Sequence, residues 1–173
     1  YQSWMTKKIE RLNIPSIYLT DGPIGLRKKV EEESEGSLGL GGSCIATSFP
    51  TTVCIANSWN NENAYKMGKA IGEECEAYNV QVILGPALNI KRDPRCGRNF
   101  EYYSEDPFLS GKMGAAAVRG IQKAGISACP KHFACNNQET CRNRNDSRIS
   151  QQALREVYLR AFEICVKEGK PLN

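Results

Sequence analysis

The sequence lacks the marks of a membrane, metal or nucleic-acid protein. No apolar run approaches the ~20 residues that cross a bilayer, and no signal-peptide pattern follows the first residue, Tyr1. Opposite charges nearly balance, leaving a net charge of +4. The densest basic run, Arg27-Lys28-Lys29, is followed at once by Glu31-Glu32-Glu33, so no electrostatic footprint for nucleic acid is expected. Histidine occurs once, at His132. The eight cysteines, at 44, 54, 75, 96, 129, 135, 141 and 165, include no Cys-x-x-Cys pair. Their spread over helix-like and strand-like segments argues for reduced, partly buried thiols and against a disulfide framework. Cys129, His132, Cys135 and Cys141 cluster, but their spacing matches none of the usual zinc-ligand pairs. A reactive cysteine with His132 as its base lacks an evident third, orienting group.

What is present is globular. The chain has 173 residues, 40% of them hydrophobic and 24% charged, enough for one core. It opens without Met and stops at Lys170-Pro171-Leu172-Asn173, so both ends look cut and location is undetermined, with a cytoplasmic one favoured.

In order along the chain, residues 1–12 read as an amphipathic helix through Trp4, Met5, Ile9 and Leu12. Ile14 to Leu19 reads as a buried strand ending at Asp21. Residues 22–48 read as a surface loop; its Gly39-x-Gly41-Gly42 does not follow a strand and is a poor phosphate cradle. Thr51 to Ala56 suggests another short strand. Small and apolar residues from Ala64 to Tyr78 fall at helical steps behind a capping Asn60.

Val80 to Leu84 is the next strand. A long loop, 85–105, follows, loaded with Arg, Asn and Glu and offering little that packs. Asp106-Pro107 then opens a helix running to about Gly125. Ile126 to Cys129 is a further strand and delivers Pro130-Lys131-His132-Phe133 at its end. A polar loop leads to a final helix, Gln151 to Glu168, after which Lys170-Pro171-Leu172 looks like the start of another strand.

Strands alternating with helices imply parallel strands with right-handed crossovers. Asp21, Arg98 and Lys131-His132 each follow the C-terminal end of a strand, which in a parallel barrel puts them on one face. A complete barrel takes eight strands and about 250 residues, so this chain fits about half of a (β/α)8 TIM-type barrel as a single partial domain. The competing doubly wound sheet finds no dinucleotide fingerprint.

Three segments carry a resemblance: Asp21-Gly-Pro-Ile-Gly-Leu-Arg27, Gly85-Pro-Ala-Leu-Asn-Ile-Lys-Arg-Asp-Pro-Arg-Cys-Gly-Arg-Asn-Phe-Glu-Tyr-Tyr-Ser-Glu-Asp-Pro107 and Lys131-His-Phe-Ala-Cys-Asn-Asn-Gln-Glu139. In order and spacing they resemble the amino-terminal domain of family 3 glycoside hydrolases, especially its bacterial β-glucosidases. The resemblance implies a barrel that removes β-linked sugars from non-reducing ends with retention, needs no cofactor, and takes a β-linked glucoside or oligosaccharide as its partner. It also implies that the nucleophile and the acid/base lie outside these residues, so the chain contributes the wall of a glucose pocket. Asp21 matches an acceptor of sugar hydroxyls; Arg98, Lys131, His132 and Arg142 match donors.

By residue type alone these positions stay open. Asp21 suits a turn before Gly-Pro; Arg98 could pair internally with Glu101 or Glu105; Lys131 and His132 could cap a strand; Arg142, near Arg144 and Arg148, could be a solvated face. Glu101, Glu105 and Glu139 read as carboxylates that brace the loops. Cys135-Asn136-Asn137-Gln138 stands where the family's N-acetylhexosaminidases carry His-Gly-Asp, which disfavours amino sugars and ranks β-glucosidase before β-xylosidase or another β-glycosidase. Ile24, where many relatives have His, leaves the outer subsite open. A noncatalytic sugar-binding or assembly module is the other class, and a half-barrel's open edge invites self-association.

Overall fold

The computed structural model describes residues 4–29 and 42–173. The acidic run Glu31-Glu32-Glu33 and nearly all of the glycine-rich stretch before Gly42 lie outside the described residues. Three strands, β1 (Leu19–Asp21), β2 (Val82–Leu84) and β3 (Ser127–Ala128), form a parallel sheet in the order β1-β2-β3. Leu19 pairs with Val82, Asp21 with Leu84 and Ile83 with Ala128, so the C-terminal ends of all three strands lie side by side.

The crossovers are helical. Between β1 and β2 run α1 (Thr52–Ala56) and α2 (Asn61–Ala77). Between β2 and β3 runs α3 (Pro107–Lys123). Sequence-level capping is legible at both long helices: Asn60 accepts from the Glu62 amide, and Asp106 accepts from the amides of Phe108 and Leu109 ahead of Pro107. Such caps satisfy amides that the first turn leaves free, each worth about 1 kcal/mol.

After β3 the chain forms α4 (Gln151–Ala153), a π-helical stretch (Leu154–Tyr158) and α5 (Leu159–Gly169). The core forms where Val80, Ile83, Ile126 and Ala128 meet Met67, Ile71 and Cys75 of α2, Met113, Ala116 and Ile121 of α3, and Phe162 and Cys165 of α5. Helices α2 and α3 touch backbone to backbone. A Cβ at Gly68 would stand 2.4 Å from the Ala117 carbonyl oxygen, and one at Gly120 only 2.2 Å from that of Tyr65.

Four expectations are corrected. Residues 4–12 form no amphipathic helix; they make single antiparallel bridges, Met5 to Tyr18 and Ile9 to Ile14, plus a 3-10 turn at Glu10–Leu12. Ile9 and Leu12 are exposed, so nothing anchors a helix there. The Thr-Val-Cys-Ile-Ala run is α1, a helix with Thr52 and Ala56 buried one turn apart. Loop 85–105 packs closely, with Ala87, Leu88, Asn89, Ile90, Glu101, Tyr102 and Tyr103 all buried. Lys170 to Leu172 is not a strand: the Leu172 amide donates to the Gln122 side chain instead. Among the described residues no helix is long and apolar enough to cross a membrane.

Candidate functional site

The site lies over the C-terminal ends of the three strands. Asp21 is the last residue of β1 and is half-buried, followed by Gly22 at φ +132°. A Cβ at Gly22 would lie 1.9 Å from the Gly25 carbonyl oxygen, so only glycine makes this turn without displacing the backbone that presents the carboxylate.

Beyond β2 the chain stays paired with its neighbours. The Leu88 amide donates to the Lys131 carbonyl and the Lys131 amide to that of Pro86, at 2.5 and 2.9 Å. Ala87, fully buried, thus sits between Lys131 on one side and Tyr102 on the other. These bridges extend the sheet just past its formal end and fix Lys131 and the Arg98 loop to one another. A second tie comes from α1, whose buried Thr52 hydroxyl donates to the Phe100 carbonyl at 3.3 Å.

Asp21, Lys131, Glu101 and Arg98 form one chain of charge. The Lys131 ammonium group is bonded to Asp21 Oδ1 and lies 3.7 Å from Glu101 Oε2, while the Arg98 Nε is bonded to Glu101 Oε1. Glu101 is 2% exposed and lies between two cations, so it braces both. Arg27, at the exposed rim, stands 3.9 Å from the other Asp21 oxygen. Burial pushes the Asp21 carboxyl up, but the Lys131 hydrogen bond and charge, the Gly22 amide and Arg98 outweigh it and hold it below the usual carboxylate range.

His132 leads a second chain. Its Nδ1 lies 2.9 Å from the hydroxyl of the fully buried Tyr102, which accepts from Asn136 Nδ2 at 2.8 Å. The same nitrogen donates to Glu139 Oε1, and Glu139 Oε2 accepts from Arg142 at 3.0 Å. Burial, then Arg98 and Lys131, lower the His132 pKa to about 4, so the imidazole is neutral at neutral pH. Glu139 is raised by burial and lowered further by Asn136, Arg98 and Arg142, ending below its ordinary value.

The loop after His132 is pinned from below. Asn89, buried, bonds the backbone of Asn136 in both directions, and Asn137 donates to the Tyr158 hydroxyl at 2.7 Å. Tyr158 belongs to the π-helical stretch, so the break in that helix anchors this loop.

All five expected site residues therefore fall in these two chains, Asp21, Lys131 and Arg98 in the first, His132 at the head of the second and Arg142 exposed at its outer end. The alternative pairing of Arg98 with Glu101 also holds, and the two readings are compatible because a braced guanidinium keeps other N–H donors. Sequence reasoning passed over Tyr102. Its signal was the position next to Glu101 in a loop otherwise rich in charge.

The thiol alternatives find no supporting geometry. All eight cysteines are free, and among the described residues no group of three or more His, Cys, Asp or Glu is placed to hold a metal. Burial raises the Cys129 and Cys135 thiols, the opposite of an activated nucleophile, and His132 turns Nδ1 to Tyr102.

Residues 7–171 match the family model of the glycosyl hydrolase family 3 N terminal domain. The chain is 49% identical over 168 residues to thermostable beta-glucosidase B of Acetivibrio thermocellus, covering 97% of this chain and 22% of that protein. It is also 49% identical over 169 residues to exo-alpha-(1->6)-L-arabinopyranosidase of Bifidobacterium longum, covering 98% and 22%. Among solved structures it superposes on beta-glucosidase 3B from Thermotoga neapolitana in complex with alpha-D-glucose, with a TM-score of 0.87 and 49% identity, over 96% of this chain and 23% of that one. The chain thus spans about a fifth of the length of these relatives.

Proposed function

The chain belongs to glycosyl hydrolase family 3, and from that premise we propose that the protein carrying it removes terminal β-D-glucosyl residues from β-glucosides and oligosaccharides by a retaining mechanism. In this reading Asp21, Arg98, Lys131, His132 and Arg142 form the wall that holds the terminal glucose. The observation that carries it is the convergence of one anionic acceptor, Asp21, with the donors Lys131, Arg98 and His132 over three adjacent strand ends. A sugar hydroxyl can donate to the carboxylate and accept from a cation, and charge-assisted bonds of this kind are roughly twice as strong as neutral ones.

The chemistry itself is assigned elsewhere. A retaining glycosidase needs a nucleophilic carboxylate and, about 5 Å away, a carboxylic acid whose pKa is raised. Asp21 is held low chiefly by Lys131, Glu139 by the Asn136 amide and then Arg98 and Arg142, and Glu101 is engaged by two cations, so none suits the acid. The nucleophile and acid/base would then come from parts of the protein beyond these residues. The three-stranded sheet would be part of a (β/α)8 barrel, continuing from the outer edge of β3. In the 173-residue chain alone that edge would pair copies of the molecule; a sharp monomeric profile on gel filtration would count against this.

A second reading has a specific observation behind it. The arabinopyranosidase relative is as similar as the glucosidase one, so an L-arabinopyranoside or a xyloside, pentoses lacking the glucose hydroxymethyl group, could be the sugar removed. A panel of p-nitrophenyl β-D-glucoside, β-D-xyloside and α-L-arabinopyranoside, assayed with the complete protein, decides between them. The glucoside should have the highest kcat/KM, and the first sugar released should be the β anomer by NMR. A preference for the arabinopyranoside, or release of the α anomer of glucose first, would overturn the corresponding part of the proposal.

A further inference from the structure

Tyr102 is fully buried, and its hydroxyl touches only Asn136 Nδ2 and His132 Nδ1 among the described residues. The direction of each bond follows from the chain beyond it. Asn136 Nδ2 also meets Glu139 Oε1 at 2.8 Å, and a carboxylate oxygen can only accept, so the side-chain atom there is the amide nitrogen. That nitrogen therefore donates to Tyr102 as well. The hydroxyl hydrogen of Tyr102 then has one acceptor left within reach, His132 Nδ1. Any other arrangement buries an O–H with no partner, which proteins rarely tolerate.

We propose that Tyr102 is a positioning residue that holds His132 as the tautomer with hydrogen on Nε2, so that this ring presents a donor and never an acceptor to the sugar. Depression of the His132 pKa to about 4 keeps the ring neutral and makes the tautomer the deciding variable. The groups facing the ring are Arg98 and Lys131, which disfavour its protonation, and Glu139 and Asp21, which favour it more weakly. The consequence is a site with fixed polarity. Lys131, Arg98 and Nε2–H can only donate, and Asp21 can only accept, so each sugar hydroxyl must present either its hydrogen or its lone pairs according to the side it faces. With the hydrogen on Nδ1 instead, Nε2 would become a second acceptor and the polarity would reverse at that point. The role of this donor toward sugar rests on the glucoside reading above; the tautomer does not.

The test is nitrogen NMR on protein labelled with 15N-histidine, with the His132 signals identified by their loss in His132→Gln. Between pH 6 and 8 (on the order of two or more units above the ring's pKa), wild type should show hydrogen on Nε2 and a bare Nδ1 shifted by the Tyr102 bond. Tyr102→Phe should lose that shift, populate the second tautomer and raise the Kd for glucose about tenfold, the scale of one hydrogen bond. The wild-type spectrum alone decides the tautomer, even if the variant fails to fold. Hydrogen on Nδ1 in wild type, or an unchanged tautomer in a folded Tyr102→Phe, overturns the proposal. If glucose leaves every His132 signal unmoved while Nε2–H is observed, the tautomer assignment stands and the glucose reading falls.

Discussion

Lys131 and Asp21 are 110 positions apart and are bonded through ammonium and carboxylate at the heart of the site. Their side chains are 12% and 30% exposed, so the pair is partly withdrawn from water but open on one side. This is the geometry of a binding wall more than of a buried strut. Removing Asp21 should therefore cost recognition before stability. Asp21→Ala should weaken glucose binding about 100-fold, the scale of a hydrogen bond to a charged group. Isothermal titration checks this, and an Asp21→Ala protein that binds glucose as wild type does would remove Asp21 from the pocket.

Glu101 should behave in the opposite way. It is buried under Arg98 and Lys131, and loss of its charge leaves Arg98 without its bonded anion and Lys131 with Asp21 alone. Breaking a buried pair costs about 3–5 kcal/mol, so Glu101→Gln should lower the thermal midpoint and impair sugar binding together. A variant as stable as wild type would mean that Arg98 finds another partner and that Asp21 suffices for Lys131.

The low pKa of His132 makes stability depend on pH. The unfolded ring binds its proton near the ordinary 6.5 and the folded ring only near about 4. Between those values the unfolded state holds more protons, so this residue makes stability rise with pH through that window and subtracts from it below. The ring is only partly buried, so solvent screening reduces the effect to about 1 kcal/mol at pH 5. Urea unfolding at pH 5 and pH 7 should show a smaller pH difference in His132→Gln than in wild type; equal differences would contradict the assignment.

The contact between α2 and α3 offers a test away from the site. Gly120→Ala would drive a methyl group to 2.2 Å from the Tyr65 carbonyl oxygen, a backbone atom that cannot swing aside. Separating the two helices should cost about 1–3 kcal/mol, read by denaturant unfolding. A neutral substitution would show that the helices can part freely.

How much of this was legible in the sequence depends on where the controlling force is local. The caps at Asn60 and Asp106 and the face of α2 that buries Ala64, Met67, Ile71 and Cys75 follow from neighbours in the chain, and they were readable. The motif residues Asp21, Arg98, Lys131 and His132 were readable as a set because each follows a strand. Segment 52–56 was not. Its β-branched residues suggest a strand, but the helix is held by tertiary contacts, among them the bond from Thr52 to the Phe100 carbonyl. The packing of loop 85–105 was hidden for the same reason: Ala87 is buried because Lys131 and Tyr102, distant in sequence, flank it. Tyr102 looked like one aromatic among several until Asn136 and His132 were brought to its hydroxyl.

The central claim is that a single glucose ring lies against Asp21, Lys131, Arg98 and His132. A crystal structure of the complete protein with glucose tests it most directly. The account predicts sugar hydroxyl oxygens within hydrogen-bonding distance of the Asp21 carboxylate, the Lys131 ammonium group, the Arg98 guanidinium and His132 Nε2, all from one ring. Glucose bound in the crystal with none of these four side chains in contact would contradict it.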